Sequence, residues 1–335
     1  MKKVSIIFMA VIMCTFSFLV GGCNKNDNVI RLNEVTHSIF YAPLYVAINN
    51  GYFEEEGIEI ELTNGGGADK SMAALTSGSA DIALMGPEAT IYVVEQGKKD
   101  KPVVFAQLTR CDGSFIIGRE NKTDFSLEDM EGSEVLAGRK GGVPYMTLAY
   151  VLKQHGLIDG RNITLRTDVQ FDSMTAAFVG NVGDYVTAFE PSATQIQNNG
   201  QGYVLGSVGE FSGDIPYTCF TANESFIEKN EEKIEKFIRA IIKGYNFVMT
   251  SEITEIVEAV KPSFTGSTDA DLTAGITAYK RINAWSSSPV MTEQSYNNLI
   301  TIMLDAGELD SIVAFKDVVN NTYAQKVFQE MKTTA

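Results

Sequence analysis

The chain has 335 residues, of which 44% are hydrophobic and 21% charged, a composition typical of a globular protein that excludes an intrinsically disordered one. Its formal net charge of -15 argues against a basic face for nucleic acid or anionic lipid. The length predicts two domains, and four cysteines are too few to replace a hydrophobic core of that size.

The N-terminal residues predict a secretory signal. Two lysines precede the apolar run Val4–Val20, and two glycines and Cys23 follow it. This order is typical of a signal peptide, and the residues up to Cys23 resemble a bacterial lipobox. The run is shorter than the roughly 20 apolar residues of a membrane-spanning helix. We therefore expect residues 1–22 to be removed and residues 23–28 to form a tether, lipidated at Cys23, that holds the protein outside the cytoplasm with a net charge of -17.

From Val29 onward, predicted strands and helices alternate. This alternation is typical of an α/β protein with a mainly parallel sheet. We expect Asp69 to cap the N-terminus of one of these helices. The strands predicted in this part are Val29–Val35, Ile58–Leu62, Ile82–Met85 and Val103–Leu108, and the helices are Leu44–Ile48 and Ser71–Ser77.

The same pattern then repeats. Residues 72–88 and 174–191 each run from a helix through a glycine turn and an aspartate to an apolar strand, followed by a loop that contains Glu and Pro. Two such units suggest two lobes of related architecture. The strands of this second part are Val135–Ala137, Ile163–Thr167 and Tyr185–Phe189, and its helices are Tyr145–His155 and Met174–Phe178.

The C-terminal part is predicted to be helical. Apolar residues recur there every three or four positions, which is the period of an amphipathic helix. The predicted helices are Lys229–Met249, Ile253–Val260, Asp269–Arg281 and Thr292–Asp305.

The motifs of common enzyme classes are absent from the sequence. His37 and His155, the two histidines, do not stand in a zinc-binding arrangement. The segment 65–70 lacks the spacing of a phosphate-binding loop, and there is no GxSxG motif. We therefore expect no metal, no cofactor and no catalytic residue, and we favour a binding role over an enzymatic one.

Several short motifs carry a resemblance to a known family. They are Phe40-Tyr41-Ala42-Pro43-Leu44-Tyr45-Val46-Ala47, Gly51-Tyr52-Phe53, Gly57-Ile58-Glu59-Ile60, Ala74-Leu75 with Gly78 and Asp81, and Phe189-Glu190-Pro191. Together with the lipobox they resemble the solute-binding lipoproteins of ABC importers in the nitrate/sulfonate/thiamine-precursor group. The resemblance implies a monomer that binds a small molecule, contacts a permease and its ATPase subunits, and is anchored to the cell membrane by lipid.

The resemblance also implies the two-lobed type II periplasmic-binding fold. Each lobe would be a mainly parallel sheet flanked by helices. We expect lobe 1 to span residues 29–112 and lobe 2 to span residues 113–218. Residues 219–335 would then return to lobe 1 and add a helical C-terminal extension.

Ligands of such lobes bind beyond the carboxyl ends of the strands. The loops expected there are Thr36–Tyr41, Asn64–Gly67, Gly86–Glu88, Gly138–Tyr145 and Phe189–Pro191. They would line one cleft that closes by a hinge motion. The predicted ligand-binding residues are Ser38, Phe40, Tyr41, Gly66, Gly86, Glu88, Gly141, Gly142, Tyr145, Phe189, Glu190 and Tyr217.

Two of these residues, Glu88 and Glu190, point to the kind of ligand. A buried carboxylate needs a donor or a cation, so two of them repel an anion and suit an amino-substituted heterocycle such as a pyrimidine or a thiamine precursor. The aromatic residues would stack on its flat ring. In the alternative interpretation, Glu88 caps the next helix and faces solvent, and Glu190 pairs with Arg139 or Lys140.

Two other functions compete with a heterocycle carrier. A sulfonate or nitrate binder would hold its anion with the loop Gly138–Gly142 and its cations. An enzyme of thiamine-pyrimidine synthesis is the rival from another class, but the Cys-rich motif of the fungal enzymes is absent from this sequence. Cys111 and Cys219 are expected near the crossings between the lobes, and their pairing stays open.

The lipobox leads to a first test. We expect Cys23→Ala to release the protein from membranes or to leave an uncleaved precursor, because the lipidated thiol is the proposed anchor. Cys14→Ala, inside the segment that is removed, is the control and should behave like the wild type. Membrane fractionation with intact-mass measurement checks both variants. Normal processing and membrane retention of Cys23→Ala would contradict the prediction.

Overall fold

The computed structural model describes residues 28–97 and 99–334. The predicted signal peptide, Cys23 and the tether up to residue 27 lie outside these residues, so removal of the signal and lipidation stay predictions. Within the described part of the chain, no helix has both the length and the apolar character needed to cross a bilayer.

Ten strands of the described chain form two five-stranded sheets. The strands are β1 Val29–Glu34, β2 Glu59–Asn64, β3 Ile82–Met85, β4 Pro102–Thr109, β5 Phe115–Gly118, β6 Glu134–Leu136, β7 Thr164–Arg166, β8 Tyr185–Ala188, β9 Tyr203–Ser207 and β10 Thr218–Asn223. Their order is β2-β1-β3-β10-β4 in one sheet and β7-β6-β8-β5-β9 in the other. We call the layers around these sheets lobe 1 and lobe 2. The pairing of three neighbouring strands is parallel in each sheet, and the next strand, β10 or β5, runs antiparallel.

The two sheets therefore share one topology. Leu32 of β1 lies opposite Leu62 and Ile82, and Val135 of β6 holds the matching position opposite Leu165 and Tyr185. The sequence repeat predicted this likeness of the two lobes. The mainly parallel, helix-flanked sheets expected for each lobe are confirmed.

The chain crosses twice between the lobes. Residues 110–114 lead from β4 into β5, and residues 208–217 lead from β9 into β10. Each antiparallel strand follows a crossing, so each lobe receives one strand that arrives from the other lobe. The predicted division between residues 112 and 113 falls inside the first crossing. The division after residue 218 falls one residue inside β10, and we keep both as predictions.

Helices cover both faces of the sheets. Four short 3-10 turns complete the described chain, at Ile39–Tyr41, Leu127–Met130, Phe171–Ser173 and Lys261–Ser263. The helices are α1 Ala42–Asn49, α2 Tyr52–Glu55, α3 Ala68–Thr76, α4 Glu88–Glu95, α5 Val143–Gln154, α6 Met174–Val179, α7 Ser192–Asn198, α8 Gly209–Ser212, α9 Glu224–Lys229, α10 Glu231–Thr250, α11 Ile253–Val260, α12 Asp269–Arg281, α13 Glu293–Asp305, α14 Phe315–Val318 and α15 Thr322–Thr334.

The predicted capping role of Asp69 is wrong. Helix α3 begins at Ala68 with Gly67 as its N-cap, and the Gly67 carbonyl accepts the Ser71 N–H at 3.0 Å. Gly67 has a φ of 152°, which residues with a side chain rarely adopt, so the helix can begin before Asp69. Asp69 lies in the first turn instead, where its charge suits the helix dipole.

The C-terminal helices contact both lobes. From α12, Asp271 accepts a hydrogen bond from Asn198 of lobe 2 at 2.8 Å, and the Tyr279 hydroxyl accepts the Glu190 N–H at 3.0 Å. From α13, Asp305 forms an ion pair with Lys153 of lobe 2 at 2.6 Å. Opening of the cleft between the lobes must therefore move or break contacts of these helices.

The two described cysteines are buried free thiols, so the disulfide that the sequence left open does not form. Cys111 lies in the first crossing, and its thiol is 3.8 Å from the Ile282 carbonyl oxygen. Cys219 is the second residue of β10 and faces Met85 and Gln107 in the neighbouring strands.

Close packing of α10 on α1 gives a test of the fold. A Cβ at Gly244 would lie 2.1 Å from the Pro43 carbonyl oxygen, a backbone atom that cannot move alone. We expect Gly244→Ala to lower the free energy of unfolding by about 1–2 kcal/mol, because overpacking outweighs the gain in helix propensity. Urea titration followed by circular dichroism measures this. Gly266→Ala, where no atom lies within 4 Å, is the control. Equal stability of the two variants would contradict the prediction.

Candidate ligand-binding cleft

A cavity of about 630 Å³, including its open mouth, lies between the lobes, and we call it the front chamber. It is lined by residues that follow β1, β2, β3, β6, β7 and β8, together with the end of the second crossing and the first residue of β10. The lining residues are Val35, Tyr41, Gly66, Gly67, Ala68, Asp69, Gly86, Glu88, Arg139, Gly142, Val143, Pro144, Gln170, Phe171, Phe189, Tyr217 and Thr218.

The structure brings seven of the twelve predicted ligand-binding residues together in this chamber. They are Tyr41, Gly66, Gly86, Glu88, Gly142, Phe189 and Tyr217. The other five, which lie elsewhere around the cleft, are Ser38, Phe40, Gly141, Tyr145 and Glu190. Their side chains or carbonyl groups contact protein partners, as follows.

Ser38 and Phe40 support the wall of the front chamber from behind. The Ser38 hydroxyl donates to the Glu190 carbonyl at 2.6 Å and accepts the Phe40 N–H at 3.1 Å. The Phe40 ring is fully buried, with its centroid 5.7 Å from that of Phe189. These two residues position aromatic lining residues without facing the chamber.

Gly141 and Tyr145 contact other groups. The Gly141 carbonyl accepts the Tyr92 hydroxyl at 2.8 Å, a hydrogen bond between the lobes. The Tyr145 hydroxyl donates to Asp159 at 3.1 Å, within lobe 2. Tyr145 lies in the first turn of α5 and is not one of the residues that line the front chamber.

Glu190 is buried at the end of β8, outside the front chamber. Its carboxylate accepts the Thr194 N–H and the Thr194 hydroxyl, both at 2.9 Å, and so caps α7. Burial raises the pKa of Glu190. Glu190 forms no ion pair with Arg139 or Lys140 within the described residues, so that alternative is wrong. Arg139 instead pairs with Asp69 across the cleft, at 3.8 Å.

Glu88 is the central polar group of the front chamber. It begins α4 and is 1% exposed, so the alternative in which it faces solvent is wrong. Oε1 accepts the Val143 N–H of lobe 2 at 3.4 Å, and Oε2 has no hydrogen-bond partner among the described residues. A Cβ at Gly86 would lie 2.0 Å from Oε2, so a side chain at position 86 would displace this carboxylate.

The surroundings of Glu88 make it a weak acid. Burial raises its pKa to about 7, and the Arg139 charge and the N–H groups of Val143 and Ala89 oppose that rise. The carboxyl group therefore changes its charge near neutral pH. A ligand that donates a hydrogen bond to Oε2 would favour the charged form.

Aromatic rings form the walls around this carboxyl group. The Phe189 ring centroid lies 6.2 Å from that of Tyr217 and 5.9 Å from that of Phe171. Tyr41 and Tyr217 contribute hydroxyl groups, and burial raises the pKa of both, so both stay neutral donors. The arrangement offers flat apolar faces beside a few polar groups, which suits a planar ligand.

A second buried acid stands behind Tyr217. Asp112 lies in the first crossing, and its Oδ1 accepts the Ser114 N–H at 2.7 Å and the Ser114 hydroxyl at 2.6 Å. Its Oδ2 and the Tyr217 hydroxyl make no hydrogen bond shorter than 3.5 Å to the described residues, but each acts on the pKa of the other. Burial raises the pKa of Asp112 to about 7. The crossing is thereby linked to the chamber wall.

Sequence reasoning missed several lining residues. Gln170 and Phe171 follow β7, a parallel strand. Because ligands bind beyond the carboxyl ends of such strands, the sequence could have predicted both residues. Thr218 directly follows the predicted Tyr217. Asp69 was assigned to a cap, and only the tertiary structure places it opposite Arg139.

Comparison with known proteins gives the following matches. The NMT1/THI5-like family model matches residues 39–252. YtlA of Bacillus subtilis (strain 168), a candidate binding protein by its name, is 39% identical over 316 residues, which cover 93% of this chain and 94% of YtlA. The 4-amino-5-hydroxymethyl-2-methylpyrimidine phosphate synthase of Aspergillus parasiticus is 22% identical over 251 residues, which cover 70% and 71% of the two chains.

Solved structures share the fold. The alkanesulfonate-binding protein SsuA from Xanthomonas axonopodis pv. citri, bound to MOPS, superposes with a TM-score of 0.71 at 15% identity. The match covers 88% of this chain and 99% of that one. The expected two-lobed periplasmic-binding fold is therefore confirmed.

The raised pKa of Glu88 predicts a pH-dependent stability. The folded pKa of about 7 exceeds the ordinary value of 4.5, so the folded protein binds the Glu88 proton more tightly than the unfolded chain does. The resulting stabilisation of the folded protein is complete below about pH 4.5 and is lost as the pH rises through 7. We therefore expect Glu88→Gln to gain free energy of unfolding relative to the wild type between pH 5 and pH 8, by no more than about 3 kcal/mol.

Urea titration at both pH values measures this difference. Subtracting the wild-type value removes the contribution of Asp112, which titrates in the same range. Glu59→Gln, at an exposed position of the edge strand β2, is the control. A difference between Glu88→Gln and wild type that stays constant with pH would contradict the prediction.

Proposed function

The chain belongs to the NMT1/THI5-like family, and on this premise we propose that it is the solute-binding component of an ABC import system. In this proposal it captures a small, flat, amino-substituted heterocycle, such as a pyrimidine or thiamine precursor, in the front chamber and delivers it to a permease with ATPase subunits. It acts as a monomer, and a lipid attached to Cys23 anchors it to the outer face of the cell membrane.

The observation that carries the ligand assignment is the buried Glu88 Oε2 without a partner. A buried carboxylate oxygen that lacks a hydrogen bond destabilises the protein, so a ligand that supplies a donor gains affinity there. An exocyclic amino group on a ring is such a donor. Oε1 already accepts the Val143 N–H, which leaves Oε2 as the acceptor for the ligand.

The walls of the front chamber support the proposal that the ligand is a flat ring. Tyr41, Phe189 and Tyr217 present aromatic surface around Glu88, and Phe171 extends it. A planar heteroaromatic ring can stack on such faces while its edge reaches the carboxyl group. A small inorganic anion would use none of this surface.

A small-anion binder is the second candidate, because Arg139 lines the chamber and the N-terminus of α5 points toward it. Two contacts of the structure oppose it. The Val143 N–H of that helix end faces Glu88, and Arg139 pairs with Asp69. Glu88 thus occupies the place where a sulfonate would accept hydrogen bonds from the helix end.

An enzyme is the less favoured candidate. Both histidines have hydrogen-bond partners outside the front chamber: His37 contacts Glu34 and Ser263, and His155 contacts Glu128. The buried thiols of Cys111 and Cys219 have pKa values raised by burial, which disfavours the nucleophilic thiolate. These contacts favour binding over catalysis.

Substitution of Glu88 tests the ligand class. We expect Glu88→Gln to weaken binding of 4-aminopyrimidine more than tenfold, because it removes a charge-assisted hydrogen bond that contributes about 1.5–3 kcal/mol. Titration calorimetry of wild type, Glu88→Gln and the Glu59→Gln control measures the affinities. If the wild type ignores the aminopyrimidine and Glu88→Gln binds an alkanesulfonate more tightly, the anion candidate replaces this proposal.

A second experiment separates a carrier from an enzyme. Mass spectrometry of material co-purified from the native source identifies the bound compound, and incubation of the protein with that compound detects turnover. We expect the compound to be recovered unchanged. Chemical conversion by the wild type would support the synthase candidate.

A further inference from the structure

The turn between α11 and α12 is fixed to lobe 1 by the ring of His37. The Nε2 atom of His37 lies 2.8 Å from the Ser263 carbonyl oxygen, although 226 positions of the chain separate the two residues. The same ring stacks on Phe264, with ring centroids 4.5 Å apart and an interplanar angle of 29°. Asn49 of α1 donates to the Ser263 hydroxyl at 3.0 Å. Lobe 1 therefore holds this turn at two successive residues.

The chain that follows the turn reaches lobe 2. We call residues 263–271 the bridging segment. The Ser267 hydroxyl accepts a hydrogen bond from Gln195 at 3.1 Å, and the Asp271 carboxylate accepts one from Asn198 at 2.8 Å. Both donors belong to α7 of lobe 2. The bridging segment is thus bound to lobe 1 at its first residue and to lobe 2 further along.

The neighbour of His37 contacts lobe 2 directly. The Ser38 hydroxyl donates to the Glu190 carbonyl at 2.6 Å, just before α7 begins. Helix α12 packs against the same place, because a Cβ at Gly275 would lie 2.2 Å from the Ile39 side chain and 2.9 Å from that of Glu190. One short loop of lobe 1 therefore holds lobe 2 by two routes, directly through Ser38 and through the bridging segment from His37.

The contacts of His37 fit a ring that carries a proton on both nitrogens. A carbonyl oxygen can only accept, so the Nε2 that faces Ser263 donates. Nδ1 lies 2.8 Å from a carboxylate oxygen of Glu34, whose other oxygen accepts the Tyr45 hydroxyl at 2.5 Å. Two donors favour the charged form of this carboxylate, and the hydrogen bond to it raises the pKa of His37 above the ordinary value of 6.5. The ring is therefore an imidazolium paired with Glu34.

The other charged groups around His37 favour the same protonated form. Glu190 and Asp172 of lobe 2 line the cavity that His37 also lines, and their negative charges favour a cationic ring. Lys261 lies in the turn itself, but its ammonium group is paired with Asp269 at 2.7 Å. The His37 side chain is 40% exposed, so it can exchange its proton with water.

We propose that protonation of His37 controls opening of the cleft through the bridging segment, which the charged ring holds on lobe 1 and the neutral ring does not. A neutral imidazole has one N–H, and the charge-assisted hydrogen bond to Glu34 is the stronger of the two, so the bond to Ser263 is lost. The Nε2 lone pair then faces the carbonyl oxygen and repels it. The inference goes beyond the proposed function, because it holds for any ligand of the front chamber.

Nuclear magnetic resonance of the imidazole rings tests the charge of His37 in the wild-type protein. The chain has two histidines, so a His155→Gln variant assigns both sets of signals. We expect both nitrogens of His37 to be protonated at about pH 6 and its signals to titrate above pH 6.5, because the folded protein holds this proton more tightly than the unfolded chain. A His37 ring that titrates below pH 6.5, or that carries one proton at pH 6, overturns the proposal.

Hydrogen exchange with mass spectrometry tests the bridging segment in the ligand-free protein. Exchange of residues 263–271 is compared between wild type and His37→Gln at the same pH, so that the intrinsic pH dependence of exchange cancels. At about pH 6 we expect three- to tenfold slower exchange in the wild type, an effect limited by the partial exposure of the ring. At about pH 9 the two proteins should exchange at equal rates, because His37 is then neutral.

Small-angle X-ray scattering of the same two proteins reports opening of the cleft. We expect a smaller radius of gyration for the wild type than for His37→Gln at pH 6, and equal radii at pH 9. His155→Gln is the matched control, since His155 also pairs with a glutamate, Glu128 at 2.9 Å, but within lobe 2. It should match the wild type in both measurements at both pH values.

Three results would overturn the proposal. One is equal exchange of the wild type and His37→Gln at pH 6, with circular dichroism showing that both are folded. Another is a slower exchange of the wild type that persists undiminished at pH 9. The third is equal radii of gyration at pH 6, which would show that the bridging segment does not restrain opening. Each of them leaves the heterocycle function standing, because no ligand takes part in these measurements.

Discussion

The Glu88 carboxyl group lies between the two lobes, and together they supply a hydrogen bond to only one of its two oxygens. Lobe 1 supplies the helix that carries it, lobe 2 supplies one N–H, and Oε2 has no partner in the described chain. The glycine beneath it and the aromatic rings around it shape the chamber that this carboxyl group faces. Burial of the group raises its pKa, so its charge depends on pH near neutrality.

The topology of the two sheets explains why the site lies where it does. Parallel strands of both lobes end at the same cleft, so loops far apart in sequence converge there. The exchanged antiparallel strands β5 and β10 tie the lobes through two crossings, and Asp112 in one crossing faces Tyr217 in the other. The contacts of α12 and α13 with lobe 2 add further restraint on opening.

The charged groups of the front chamber already have partners. Glu88 accepts the Val143 N–H, and Arg139 pairs with Asp69. A net charge of -15 over the chain favours cationic or donor-bearing solutes over anions. The fold shared with sulfonate binders does not by itself decide the ligand class of this chain.

Local patterns in the sequence determined the elements and the fold class. The strand at Ile82–Met85, the helix at Asp269–Arg281 and the likeness of the two lobes follow from short-range periodicity and turn residues, which act within a few positions of the chain. Glu88 was also identifiable, because it follows a buried strand. The tertiary structure alone decided which partner each side chain meets: Thr194 for Glu190, Asp69 for Arg139 and Asp159 for Tyr145. Those partners come from side-chain directions and from contacts between distant segments, and a one-dimensional pattern does not encode them.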